Sequence, residues 1–311
     1  MIKRTLYFGN PAYLSLENCQ LIFRLPQIEK NASIPETFKK KQVVSVPIED
    51  IGVVILDDRQ ISITQPLLSA LLENNCAVIT CNEKHMPLGL LLPLESNLIQ
   101  QERYDYQLAA SVPLKKQLWQ QTMQAKINNQ AFVLRTQGIC DKRMLIWAKE
   151  VKSGDSGNHE SRAAVYYWSQ VFKAHIPDFK RGREEPEPNN LLNYGYAILR
   201  AVIARALVGT GLLPTLGIFH KNRYNAYCLA DDIMEPYRPY VDRIVLEIMQ
   251  KKVNIVDLNK EVKQQLLSIP AIDVMMDGER SPLMIAAQRT AFSLYACYEG
   301  RSRKLNYPIF E

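Results

Sequence analysis

Residues 51–80 read IGVVILDDRQISITQPLLSALLENNCAVIT, and this stretch decides the fold of the first third of the chain. Residues 51–56, 61–64 and 76–80 are short runs rich in β-branched side chains, which favour strands. Residues 66–74 lie between the last two runs, open with proline and carry apolar side chains at helical spacing. The stretch therefore predicts a small sheet domain that contains one helix.

The sequence on either side of this stretch predicts the structure of the rest of the chain. Residues 20–25 and 42–48 add two predicted strands, whereas from residue 98 onward long polar–apolar segments without β-runs predict helices. We therefore predict an α+β protein with a β-rich N-terminal domain (1–95) and a larger, all-helical catalytic domain (96–311). Proline and charged residues mark 177–190 as an exposed loop in the second domain.

Composition limits the class of protein. With 311 residues, 47% of them hydrophobic and 23% charged, the chain can fill one or two packed cores. It shows neither the hydrophobic region of a secretory signal nor the ~18 uninterrupted apolar residues that a membrane span needs. Its six cysteines form no CxxC pair, which argues against a zinc site and a disulfide framework. We expect a cytoplasmic protein, and the net charge of +6 is compatible with a nucleic-acid partner.

A first candidate for chemistry is Glu160, in SGDSGNHESRAAVYYW (153–168). Glycine and serine are followed there by a predicted helix start, with Glu160 in or near the first turn. Ala163, Ala164 and Tyr167 follow on the same face, and the two alanines permit close helix packing. A solvated capping role is the ordinary alternative for a glutamate at this position.

A second group lies within residues 212–242. His220 follows an apolar approach, and Asp232 and Glu235 stand three residues apart, which predicts one helix face. Two carboxylates on one face repel each other, and a bound divalent cation would compensate this repulsion. The alternatives are a half-buried histidine and a solvated acidic turn, and Asp231 competes with Asp232 for the inward position.

Glu160, His220, Glu235 and Asp232 together form an oxygen and nitrogen donor set that suits Mg²⁺ or Mn²⁺. Such a metal polarises a phosphate, and either water or a DNA 3′-hydroxyl could be the nucleophile. These ligands alone therefore leave a nuclease and an integrase both open. A third segment, 187–207, crowds polar residues at a helix start, where capping or phosphate contact would explain them: Asn189, Asn190, Asn193, Tyr194 and Tyr196.

The order and spacing of several segments resemble one known family along nearly the whole chain. The segments are KRTLYFGNPAYLSLENCQL, VPIEDIGVVILD, CNEKHMPLGLLLPL, LKKQLWQQTMQAKINNQAFVL, HESRAAVYYW, NNLLNYGYAILRA, GIFH and LADDIMEPYRPYVD. The chain resembles the integrase subunit of CRISPR adaptation, the first of the Cas proteins, in the shorter form found beside type II systems. The resemblance implies metal ligands at Glu160, His220 and Glu235, with Asp232 as the other member of the acidic pair.

The resemblance also implies the partners and the reaction. Two subunits would pair through the N-terminal domain, and a small second Cas protein would bridge two such dimers, with other type II Cas proteins as further partners. The implied reaction inserts a DNA fragment into a repeat array by transesterification with the fragment 3′-hydroxyl. The rival functions are a structure-specific endonuclease for branched or single-stranded DNA, a non-catalytic nucleic-acid scaffold, and covalent catalysis by a tyrosine.

Basic side chains near the predicted site are candidates for DNA binding if the chain is an integrase. Four arginines could hold DNA phosphates without reading sequence, and surface solubility is the ordinary alternative for each: Arg162, Arg181, Arg183 and Arg238.

Overall fold

The computed structural model describes residues 3–26, 44–182, 184–251, 254–256 and 258–311, and the chain divides into two units, Met1–Ser96 and Asn97–Glu311. The first unit carries strands, the α-helix Gln65–Glu73 and a short 3₁₀ helix, Ile48–Asp50, and the second is dominated by helices. The predicted α+β class, with a β-rich domain before a helical one, is confirmed.

The first unit contains two four-stranded sheets, ordered β1-β5-β7-β8 and β4-β3-β2-β6. β1, β5 and β7 run parallel, and β8 pairs antiparallel with β7. The elements of this unit are β1 (Arg4–Phe8), β2 (Ala12–Glu17), β3 (Gln20–Arg24), β4 (Val44–Pro47), β5 (Ile51–Leu56), β6 (Ile61–Ile63), α1 (Gln65–Glu73), β7 (Ala77–Cys81) and β8 (Pro87–Leu91).

Strand β5 is apolar along its whole length because it has a parallel neighbour on each side and is buried on both faces. Leu67 and Leu71 of α1 pack into the core that β5 helps to form. The predictions for 20–25, 51–56, 61–64, 66–74 and 76–80 match β3, β5, β6, α1 and β7 to within one residue at each end. Of the predicted strand 42–48, β4 covers Val44–Pro47, and residues 42 and 43 lie outside the described residues.

The prediction missed β1, β2 and β8, whose sequences RTLYF, AYLSLE and PLGLL are poor in β-branched residues. Pairing with neighbouring strands holds these segments extended although they lack a run of β-branched residues.

The second unit is built from helices α2 (Gln100–Ala109), α3 (Val112–Thr136), α4 (Lys142–Glu150), α5 (His159–Val171), α6 (Asn189–Gly209), α7 (Cys228–Met234), α8 (Arg238–Gln250), α9 (Lys260–Leu266) and α10 (Leu283–Tyr298). A short 3₁₀ helix, Glu235–Tyr237, joins α7 to α8. α6 packs against α7, α8 and α10. α6 is long and apolar enough to pass as a membrane span, but 78% of its most apolar stretch is buried inside the protein, as in a core helix.

The expectation of an all-helical second domain is wrong at residues 273–282. β9 (Asp273–Met276) and β10 (Glu279–Pro282) form an antiparallel hairpin. Its turn residues, Asp277 and Gly278, both have positive φ, the combination that an Asp-Gly hairpin turn requires. The polar sequence ERSP of β10 gives no strand signal of its own, so the turn and the pairing with β9 define this element.

Candidate active site

Glu160 is the second residue of α5, and Asp155 fixes the start of that helix. The two carboxylate oxygens of Asp155 accept hydrogen bonds from the backbone N–H groups of His159 and Glu160, at 3.0 and 2.9 Å. Asp155 thus satisfies N–H groups that no helical partner could reach. The capping role considered for Glu160 therefore belongs to Asp155, and the Glu160 side chain is directed elsewhere.

The Glu160 carboxylate meets that of Glu235 at a single cation, the ammonium of Lys126 on α3. Lys126 Nζ lies 2.6 Å from Glu160 Oε1 and 2.7 Å from Glu235 Oε2. The other carboxylate oxygen of Glu235 lies 2.9 Å from Arg238 Nε. Three elements distant in sequence, α3, α5 and the 3₁₀ helix, thus bring two carboxylates to one positive charge.

Burial and charge act in opposition on these groups. Burial alone would lower the pKa of Lys126, but Glu235 and Glu160 outweigh it and the pKa is raised. Burial alone would raise the pKa of Glu235, but Arg238 and Lys126 lower it to about 2. Glu235 is therefore ionised throughout the physiological range.

His220 lies beside this centre and is held by Asp232. The Asp232 side chain is fully buried, hydrogen-bonds to His220 Nδ1, and accepts the Phe219 N–H at 2.9 Å. The hydrogen bond to Asp232 raises the pKa of His220, and burial raises the pKa of Asp232 in spite of these bonds. A carboxylate that fixes one ring nitrogen leaves the other, Nε2, as the ligand or proton-handling atom.

The alternative between Asp231 and Asp232 is decided by their partners. Asp231 pairs with Arg200 at 2.6 Å and accepts a hydrogen bond from Asn225 at 2.7 Å, whereas Asp232 hydrogen-bonds to His220. Asp232 is the inward residue. It does not share one regular helix face with Glu235, because α7 ends at Met234 before Glu235 begins the 3₁₀ helix.

Within the described ranges, no three His, Cys, Asp or Glu side chains come together in a cluster that could hold a metal ion. Glu160 and Glu235 form one pair at Lys126, and His220 and Asp232 form a second pair next to it. The charge of His220 reaches Glu235, whose pKa it lowers further. The chemistry of the donors nevertheless fits Mg²⁺ or Mn²⁺: two carboxylates converge on a position already held by a cation, and an imidazole lies at its side.

The four predicted phosphate-binding arginines differ in their surroundings. Arg162 is exposed two residues after Glu160. Arg181 donates hydrogen bonds to Asn189 and Asn193, both at 2.9 Å, and Arg238 pairs with Glu235. Arg183 lies outside the described residues. The guanidinium groups of Arg181 and Arg238 are thus already bound within the protein, and phosphate binding stays a prediction for all four arginines.

Asn189, predicted to cap a helix or bind phosphate, instead fixes the loop before α6. Its amide donates to the Lys180 and Pro186 carbonyls, and its side-chain oxygen accepts from the backbone N–H of Gly182. The asparagine cluster therefore holds Arg181 and its loop in position.

The tyrosines considered as nucleophiles are buried. The hydroxyls of Tyr167 and Tyr196 both donate to Asp242, at 2.8 and 2.5 Å, and burial raises the pKa of both phenols well above its ordinary value. Tyr194 is fully buried as well. None of the three presents an accessible phenolate, so covalent catalysis finds no support in the geometry.

Sequence reasoning missed Lys126, although a signal for it existed. Met123, Ile127 and Ala131 mark the buried face of α3, and Lys126 falls on that face. A lysine at a core position needs a buried anionic partner. The sequence alone did not indicate which carboxylates would meet it.

A cleft of about 670 Å³ opens at His220, and positively charged side chains contribute to its wall. Lys115, Lys221 and Arg223 line it, together with Tyr224, whose ring lies 4.6 Å from the Arg223 guanidinium. Cations beside an exposed aromatic ring suit a phosphate backbone with unstacked bases. The cleft therefore has the chemistry to receive a nucleic-acid strand next to His220.

Comparison with known proteins gives concordant results for sequence and fold. The family model described as CRISPR associated protein Cas1 matches residues 12–276. The chain is 36% identical over 306 residues to the CRISPR-associated endonuclease Cas1 of Neisseria meningitidis serogroup C (strain 8013), covering 98% of this chain and 95% of that protein. Its fold is similar to a casposase bound to its integration product (TM-score 0.75, 20% identity, 98% and 92% coverage). It is also similar to a chain of a Cas6-RT-Cas1–Cas2 complex (TM-score 0.70, 20% identity, 97% and 35% coverage).

Proposed function

The chain belongs to the Cas1 family of CRISPR-associated proteins, and we propose that it is a metal-dependent DNA integrase that inserts short DNA fragments into a repeat array. The observation that carries the proposal is the convergence of Glu160 and Glu235 on one cation position beside His220. The casposase that shares this fold was solved bound to an integration product, which supports strand joining over simple hydrolysis.

In the proposed reaction the 3′-oxygen of the fragment bonds to a phosphorus at the repeat boundary, and the repeat strand's own 3′-oxygen leaves. One phosphodiester forms as one breaks, so the step needs no external energy source. Glu160, Glu235 and His220 would hold a Mg²⁺ or Mn²⁺ ion, which would polarise the phosphate and stabilise the charge on the entering and leaving oxygens. Asp232 orients His220 through Nδ1, and the basic cleft beside His220 would guide the DNA backbone.

The proposed partners follow from the same reading. DNA is the substrate both as fragment and as repeat array, and two copies of the chain would pair through the first unit. A small second Cas protein would bridge two such pairs, in keeping with the Cas1–Cas2 complex that contains a chain of the same fold. We propose the cytoplasm as the site of action.

Strand joining tests the proposal directly. The purified protein, with and without the small partner, is mixed with labelled fragment, a supercoiled repeat plasmid, and either Mn²⁺ or EDTA. We expect metal-dependent transfer of label to the plasmid, and loss of transfer in Glu160→Ala and His220→Ala with fragment binding retained. Glu261→Ala is the matched control, because Glu261 also lies in the first turn of a helix and its side chain is exposed to solvent. If both site variants still joined DNA, the assigned residues would be wrong.

The same assay separates the two rival functions. A structure-specific endonuclease would nick or shorten the DNA in Mn²⁺ without joined product, since hydrolysis needs the same ligands. A non-catalytic scaffold would bind the fragment equally well in EDTA and leave the plasmid unchanged.

A further inference from the structure

Lys126 contacts both carboxylates of the centre, and the proposed chemistry gives it no role. Its side chain is 10% exposed, and its ammonium lies within 2.7 Å of both Glu160 and Glu235. A buried ammonium is expensive to desolvate and persists where carboxylates compensate it. Its position is therefore specific: it lies at the point where the two proposed metal ligands converge.

The charges of the four groups linked at this point cancel. Lys126 and Arg238 contribute two positive charges, and Glu160 and Glu235 contribute two negative ones, all linked by the contacts described above. If a divalent cation entered while the ammonium stayed, the centre would carry a net charge of +2 in a poorly solvated region. Two cations at the same pair of carboxylate oxygens would also repel each other strongly.

We infer that Lys126 is a positioning residue whose ammonium occupies the cation position of the metal-free protein, and that a divalent metal binds by displacing it. The ammonium holds the two carboxylates together in the absence of metal, where their repulsion would otherwise drive them apart. The same contacts make Lys126 a competitor of the metal. This role rests on the proposed function, since it takes Glu160 and Glu235 as metal ligands.

Competition between the Lys126 ammonium and the metal predicts an effect on metal affinity that a lysine with a purely structural role would not have. Without the ammonium, Glu160, Glu235 and Arg238 give the centre a net charge of −1. A divalent cation binds more favourably to this negative centre than to the neutral centre that includes Lys126. Lys126 should therefore weaken metal binding. If Lys126 only supported the fold, its replacement would leave the affinity for metal unchanged, or would weaken it because the site became less ordered.

The test is a Mn²⁺ titration followed by the electron paramagnetic resonance signal of free Mn²⁺, a readout independent of strand joining. We expect Lys126→Met to bind Mn²⁺ about tenfold more tightly than the wild type, the scale on which groups bordering the ligands alter metal affinity. Lys126→Arg keeps the positive charge and should remain close to the wild type. Lys116→Met is the matched control, because Lys116 lies exposed on the same helix.

Thermal unfolding of the same variants guards against misfolding. Metal-free Lys126→Met should unfold at a lower temperature than the wild type, and Mn²⁺ should raise its Tm by more, because tighter binding to the folded state stabilises it more. Lys126→Gln provides a second, polar replacement for the same pair of measurements.

Equal or weaker Mn²⁺ binding in folded Lys126→Met and Lys126→Gln would overturn the role of Lys126 and leave the integrase proposal intact. If Glu160→Gln bound Mn²⁺ as tightly as the wild type, the assignment of the metal site would be wrong, and with it both proposals.

Discussion

Replacing Glu235 by glutamine in the metal-free protein tests the charge balance of the centre most directly. The Glu235 side chain is 10% exposed and stands between Lys126 and Arg238. Glutamine keeps the size of the side chain but removes its charge, so Lys126 retains only Glu160 and Arg238 loses the carboxylate beside its Nε. Breaking a buried ion pair from one side destabilises a protein by about 3–5 kcal/mol.

Glu160→Gln is the comparison that gives this number meaning. The Glu160 side chain is 33% exposed, and its removal leaves Lys126 paired with Glu235 at 2.7 Å. Solvent screens the lost interaction, so the expected loss is about 1 kcal/mol. The double variant Glu235→Gln/Lys126→Met should lose less than the sum of its single variants, because Met leaves no buried ammonium unpaired.

Urea unfolding in EDTA, followed by tryptophan fluorescence, measures these losses. All three tryptophans, Trp119, Trp147 and Trp168, lie in the second unit, so the signal reports that unit alone. We expect the midpoint to fall much further for Glu235→Gln than for Glu160→Gln at an unchanged m-value. Equal midpoints, or a double variant in which the two losses simply add, would refute the electrostatic reasoning.

Three further predictions concern groups around the site. A Cβ at Gly217 would lie 2.8 Å from Asp232 Oδ2 and closer still to the His220 carbonyl oxygen. Gly217→Ala should therefore abolish strand joining and lower the free energy of unfolding by about 1–3 kcal/mol. Unimpaired strand joining in this variant would contradict the packing argument. Burial raises the pKa of Asp242 from 3.8 to about 6, so the folded state binds the extra proton and stability falls as pH rises from about 4 to 6, by up to about 3 kcal/mol; urea midpoints of Asp242→Asn should lack that part of the pH dependence. Asp155→Ala removes the acceptor of two backbone N–H groups at a residue with φ of 52° and should lower stability by about 1–2 kcal/mol, whereas Asp155→Asn, which tolerates this φ, should lose less.

Local sequence predicted the fold class and much of the first unit because those signals are local. The β-branched runs at 51–56 and 76–80 and the proline before 67–73 favour their structures whatever surrounds them. β1, β2 and β8 were missed because they lack a run of β-branched residues and are held extended by pairing with neighbours. The hairpin at 273–282 was missed because the polar sequence ERSP of β10 carries no strand pattern beside the local Asp277-Gly278 turn signal. The sequence also indicated Glu160, His220 and Glu235 as candidates, by residue type and by resemblance to a family.

Only the tertiary structure decided how those candidates are arranged. It separated Asp232, bound to His220, from Asp231, bound to Arg200, a choice that turns on the direction of one short helix. It also brought Lys126, 34 positions before Glu160 in sequence, into contact with Glu160 and Glu235. Charged side chains interact through space over a few ångströms, and spacing along the chain does not determine which of them become neighbours once helices pack.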